Sequence, residues 1–224
     1  MNIFDTPQWI LIFFIYAFLG WVWETGQKWI KTHHFINRGF LNGPWLPIYG
    51  FGAMIILFLT LPFKDQIPLI FLVGMLAGTA FELFVGWGME KIFHMRYWDY
   101  SSLPFNYKGY ICLGASLIWG FFSIILVQWI DAPIYHLVKQ IPVPWLYLID
   151  ALALILFISD TVLSVIQALD LKHILRLDKV LVDPIKALKK AEKILKRNPG
   201  THSRRYRLGQ KEIRELIDQY RRTH

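Results

Sequence analysis

Apolar and polar positions sort this chain into long apolar runs broken by short polar stretches. The runs cover about 7–29, 45–61, 67–93, 110–130 and 145–169. Lengths near twenty residues with few charges are those of membrane-crossing helices. Pro62, Lys64 and Asp65 mark a tight turn after the short second run, and Asp131 with Pro133 predicts the end of the fourth. Residues 132–144 then read as an interfacial segment. The pattern predicts an all-α integral membrane protein of about five transmembrane helices. Residues 1–170 form its transmembrane domain, with two polar loops, and residues 171–224 a helical tail.

Residues 35–52, FINRGFLNGPWLPIYGFG, hold four glycines, two prolines, two asparagines and an arginine between apolar runs. Pro44 and Pro47 remove backbone donors, so this stretch is not helical throughout. Irregular backbone near a bilayer must be buried in protein or face water. Residues 95–110 form a second such loop. Gly20 and Glu24 match Gly78 and Glu82 at an offset of 58, and Asn42 and Gly50 match Asn106 and Gly114 at an offset of 64. The two helical hairpins therefore read as a parallel repeat.

The chain is 55% hydrophobic and 17% aromatic, with a mean hydropathy of +0.38. Its net charge of +8 is uneven: residues 171–224 carry 16 Lys and Arg against 6 Asp and Glu, and residues 1–170 carry 8 against 10. The first run has no basic leader or small-residue cleavage site, and is expected to stay as an anchor. Lys28, Lys31, Arg38, Lys91, Arg96 and Lys108 flank the two polar loops, whereas the opposite connections hold only Lys64 and Lys139. Such bias predicts an outside N-terminus, with both loops and the tail cytoplasmic. The basic amphipathic stretch at 184–197 suits anionic lipid headgroups, and no nucleic-acid recognition motif accompanies it. The single cysteine, Cys112, excludes an intrachain disulfide.

Three constellations carry candidate chemistry. Glu24, Glu82 and Glu90, with Asp99, place carboxylates toward the loop ends of spans one and three. Acids at membrane depth are costly unless paired or wetted, so they suit a cavity for cations, protons or amines. They equally suit a structural lock, with Glu24 and Glu82 accepting backbone N–H groups or pairing with Arg38, or Arg38 pairing with Asp99. Asn37, Arg38 and Asn42 in one loop, and Trp98, Asp99, Tyr100, Ser101 and Asn106 in the other, suit a polar headgroup or phosphate; loop asparagines also serve turns. Asp160, inside the fifth run, needs a partner: Arg38 or Lys108, or another helix by hydrogen bonding. Gly74, Gly78 and Gly86 recur four apart with Glu82 and Glu90 and predict a close-packing helix face. Trp9, Trp29, Trp45, Trp98, Trp129 and Trp145 near span ends fit an interfacial belt. His33 and His34 complete no metal set, and no P-loop or common hydrolase signature is present.

The stretches FLGWVWE, NRGFLNGPWLPIYGFG and RYWDYSSLPFNYKGYICL resemble the putative ABC-transporter type IV family of CmpB-like bacterial membrane permeases, over about residues 10–130. The resemblance implies a multi-span permease. The matching positions are Glu24, Asn37, Arg38, Gly39, Asn42, Gly43, Pro44, Glu82, Trp98, Asp99, Tyr100 and Asn106. Three functions follow as expectations: a transport component acting as a homo-oligomer or with a separate ATPase subunit; a membrane-embedded enzyme acting on a lipid or polar headgroup; or a scaffold that recruits a partner through the basic tail. No residue pattern names a cofactor.

Overall fold

The computed structural model describes residues 6–175, together with 189, 192, 202–203, 208–209, 213–215, 217–218 and 222. The expected amphipathic stretch at 184–197 falls almost wholly outside the described residues. Further along the expected helical tail, Ile213 and Ile217 are buried, and Arg214 pairs with Glu192 at 3.0 Å.

Helices α1 (Thr6–Thr32), α2 (Pro47–Thr60), α3 (Ile67–Phe93), α4 (Leu113–Ile125), α5 (Asp131–Lys139) and α6 (Val143–Leu175) make an all-α membrane protein. Four stretches, Pro7–Thr32, Ile67–Phe93, Leu113–Lys139 and Val143–Leu169, are long and apolar enough to cross a bilayer. The second expected span is the shorter apolar stretch Pro47–Phe63. Its α-helical part and closing 3₁₀ turn reach roughly 27 Å, a little under the thickness of a hydrocarbon core.

Local chemistry sets these boundaries. Pro47 opens α2 and Pro68 the first turn of α3, where a missing N–H costs nothing. His33 and His94 end α1 and α3 in the left-handed conformation, each N–H closing onto a carbonyl four residues back at 2.8 Å. The fourth run does not stop at Asp131–Pro133. Its helix passes through a π-helical turn, Leu126–Ile130, and continues as α5 to Lys139. Proline removes one helical hydrogen bond and crowds the preceding turn; the wider turn just before it gives the room to continue.

The two hairpins, α1–α2 and α3–α4, pack with one shared contact set. Tyr49 of α2 lies over Gly20, and Trp119 of α4 lies over Gly78. Phe13 lies against Gly50, and Phe71 against Gly120. Phe13, Gly20 and Glu24 thus correspond to Phe71, Gly78 and Glu82 at an offset of 58, while Tyr49 and Gly50 correspond to Trp119 and Gly120 at an offset of 70. The expected offset of 64 for the second helices is revised by six residues. Apolar helices align with each other at many registers in sequence; packing selects the one that seats an aromatic ring in each glycine notch. The predicted glycine face of α3 is likewise occupied, by Ser123 at Gly74 and by Trp98 and Tyr110 at Gly86.

The core lies between α1, α2, α3, the π turn and α5, around Ile12, Tyr16, Ala53, Ile56, Ile70, Leu126 and Val138, and reaches α6 at Leu146. Helix α6 packs mainly on α1, where Phe157 meets Phe13 and Phe14 edge-on. Its outer surface exposes Leu152, Ile155, Leu156 and Ile158, an apolar face suited to lipid.

Candidate functional site

At the loop end of the bundle, each hairpin presents a glutamate to an aromatic donor. Glu24 Oε1 accepts the Tyr49 hydroxyl at 2.8 Å. Glu82 accepts two donors, the Tyr100 hydroxyl at 2.9 Å on Oε1 and Trp119 Nε1 at 3.1 Å on Oε2. The glycine one turn before each glutamate makes this possible, because a side chain at Gly20 or Gly78 would occupy the ring's place. Tyr49 and Trp119 lie 6.5 Å apart between ring centroids and join the two halves. Burial, and then the adjacent Glu82 carboxylate, push the Tyr100 hydroxyl well above the ordinary tyrosine range, with Glu24 adding to the effect. Tyr100 is therefore a neutral donor throughout the physiological range. Glu24, Tyr49, Tyr100, Glu82 and Trp119 form one polar cluster walled by aromatic rings.

The first loop folds over this cluster. Arg38 pairs with Glu24 at 3.8 Å, a loose contact between part-exposed groups, and its backbone N–H donates to Thr25 Oγ1 at 3.4 Å. Asn37 accepts Trp21 Nε1 at 2.5 Å and donates to the Asn42 carbonyl at 2.6 Å. Asn42 and Gly43 in turn are held by Asp160 of α6. Asp160 Oδ1 accepts the Asn42 backbone N–H at 2.9 Å and its side-chain amide at 2.8 Å; Oδ2 accepts the Gly43 N–H at 2.7 Å. Ser164 also accepts the Asn42 amide, at 2.8 Å. The partner of Asp160 is thus loop backbone and amide, rather than the expected Arg38, Lys108 or neighbouring helix.

The second loop is built on a different plan. Arg96, 4% exposed, pairs with Glu90 at 2.6 Å and Asp99 at 3.3 Å and lies over the Tyr110 ring. Asp99 also accepts the Ser101 N–H at 2.9 Å and its hydroxyl at 2.5 Å. Asn106 donates to Leu103 at 2.8 Å and accepts the Gly109 N–H at 3.1 Å, in a turn where Asn106–Tyr107 (β1) pairs with Ile111–Cys112 (β2). Gly109 has φ 74° and its Cα faces Asp99, Ser101 and Arg96, so no other residue suits that position. Trp98 donates to the Tyr110 carbonyl at 2.9 Å.

The structure therefore brings Glu24, Arg38, Glu82 and Tyr100 together, with Asn37, Asn42 and Asp160 bracing the first loop. Asp99, Trp98 and Asn106 bond within the second loop. Of the expected Arg38 pairings, the one with Glu24 forms, while those with Glu82 and Asp99 do not, because Arg96 takes Asp99 and the aromatic donors take Glu82. Sequence reasoning missed Tyr49, Trp119 and Arg96. A usable signal existed: a glycine one turn before a glutamate, in both hairpins, marks where a large side chain from the paired helix must enter. Among the described residues, no group of three or more His, Cys, Asp or Glu side chains is placed to hold a metal.

A family model described as putative ABC-transporter type IV matches residues 11–165, which takes in both hairpins, both loops and Asp160. No curated protein and no solved structure matches the chain.

Proposed function

The chain belongs to the putative ABC-transporter type IV family, and from that premise we propose that the Glu24–Glu82 cluster is the polar site of this membrane transport component, opening to the cytoplasm. The observation that carries the reading is the repeated unit: two hairpins each deliver a glutamate and an aromatic donor to one place. Two carboxylates among tyrosine and tryptophan rings favour a cationic or amine-bearing substrate, through charge and the ring faces together. Arg38, loosely paired and part-exposed, is the group best placed to yield Glu24 to an arriving cation. The lysines and arginines around both loops support an outside N-terminus, a cytoplasmic tail and five crossings in all. The chain has no ATP-binding loop, so a separate ATPase subunit would supply the energy, and the basic tail would lie against anionic lipid.

The test is equilibrium binding of candidate inorganic cations and amines to the purified protein, with Glu24→Gln and Glu82→Gln. Loss of binding in both variants, with folding retained, supports the site. Binding that survives both changes removes it and leaves the glutamates as helix locks.

A further inference from the structure

Asp131 stands apart from the loop-end cluster. It lies well inside the apolar stretch Leu113–Lys139 and is only 8% exposed. Tyr16 of α1, buried in the core, approaches it from the neighbouring helix. Tyr16 sits about 14 Å along α1 from Pro7, at 1.5 Å per residue, which is bilayer-interior depth. The Tyr16 hydroxyl and Asp131 Oδ1 are both sealed from solvent, and neither meets a partner in good hydrogen-bond geometry. The two groups are nonetheless close enough to act on each other.

Such an arrangement is costly as it stands. A buried donor or acceptor without a well-placed partner keeps its desolvation penalty, and an ionised carboxylate at this depth costs more still. The backbone beside it is also unusual. The π turn Leu126–Ile130 ends at Asp131, whose N–H bonds Leu126. Pro133, two residues on, offers no N–H to the Trp129 carbonyl. Single π turns inside helices recur at functional sites, and interrupted helices in transporters are where coupling ions are held.

We propose that Asp131, with Tyr16, is a proton-binding station within the membrane. Loading adds H⁺ to the carboxylate and gives a neutral carboxylic acid whose O–H can donate to the Tyr16 oxygen. Unloading returns the proton to water and restores the carboxylate; no bond other than O–H forms or breaks. The titratable groups on the elements packed there are Tyr16 of α1, Lys64 and Asp65 on the α2–α3 turn, Tyr135, His136 and Lys139 on α5, and Asp150 on α6. Tyr16 is the one that acts on Asp131. The α2–α3 turn meets the π turn through Gln128, which donates to the Lys64 carbonyl at 2.5 Å, and Lys139 donates to Tyr135 at 3.0 Å. The station does not depend on the Glu24–Glu82 reading. Tyr16 shares a face of α1 with Gly20 and Glu24, at i, i+4 and i+8, but each site is measured by itself.

The test is infrared difference spectroscopy of the full-length protein in lipid nanodiscs, titrated over pH with choline as the only other cation. The wild type is expected to show a protonated-carboxyl C=O band that Asp131→Asn abolishes and Tyr16→Phe shifts. Thermal unfolding of each variant checks that it is folded. If Asp131→Asn does not fold, aspartate-labelled wild type and Tyr16→Phe decide: a shifted band supports the station, and an unshifted one overturns it. An unchanged spectrum in folded Asp131→Asn also overturns it. So does a band that disappears when sodium replaces choline at fixed pH, which would make the site a metal-cation site.

Discussion

The Asp160 contact lends itself to a quantitative prediction. Asp160→Ala removes the acceptor of three N–H donors: the backbone groups of Asn42 and Gly43 and the Asn42 amide. A hydrogen bond to a charged acceptor contributes about 1.5–3 kcal/mol when buried. Asp160 is half-buried and the freed N–H groups can meet water, so we assign about 1 kcal/mol to each. The sum, about 3 kcal/mol, corresponds to a fall in melting midpoint of roughly 6–12 °C for a protein of this size. Asp160→Asn should do nearly as badly, because its amide turns a donor toward a donor. The assay is thermal unfolding of the purified protein, with hydrogen exchange read peptide by peptide. The fall should accompany faster exchange across 37–46, with the second loop unaffected. An unchanged midpoint together with unchanged exchange at 37–46 would refute the reasoning, since it would mean that α6 does not hold the loop.

Other predictions follow from the same contacts. Gly78→Ala places a methyl group within 2.6 Å of the Trp119 ring; overpacking of this kind costs about 1–3 kcal/mol, and Trp119→Phe in the same chain should recover part of the loss in unfolding experiments. Arg96→Ala leaves Glu90 and Asp99 without their buried cation and should cost about 3–5 kcal/mol, with Arg96→Lys recovering only a fraction because one ammonium cannot replace the planar fork; expression level and midpoint report both.

Much of the architecture was legible because membrane helices announce themselves through length and apolarity. The span 67–93 is α3 to the residue, since Pro68 and the Lys64–Asp65 turn fix its start and a left-handed His94 its end. The sequence places the end of the fourth run too early, because proline stops a regular helix and nothing in the local sequence advertises a π turn that absorbs it. Candidate acids were found because they are rare in apolar runs. Their partners were not, because a partner is a matter of depth and rotation between helices. Asp160 bonds backbone groups 117 and 118 positions away, which no residue pattern encodes. Tyr49 and Trp119 escape notice for the opposite reason: aromatic residues are abundant here, and one that donates to a carboxylate looks like any other until the notch it fills is recognised.

The same separation along the chain has a consequence for biogenesis. Each hairpin pairs helices that are neighbours in sequence, and such local contacts form quickly. Both can therefore zip up through their glycine notches as they leave the ribosome. The Asn42 and Gly43 N–H groups are met instead by Asp160, which arrives with α6. Until α6 is inserted, Asn37 and Arg38 already tie the first loop to α1, but the turn at Asn42 and Gly43 lacks its Asp160 clamp, so the loop is closed only when α6 arrives.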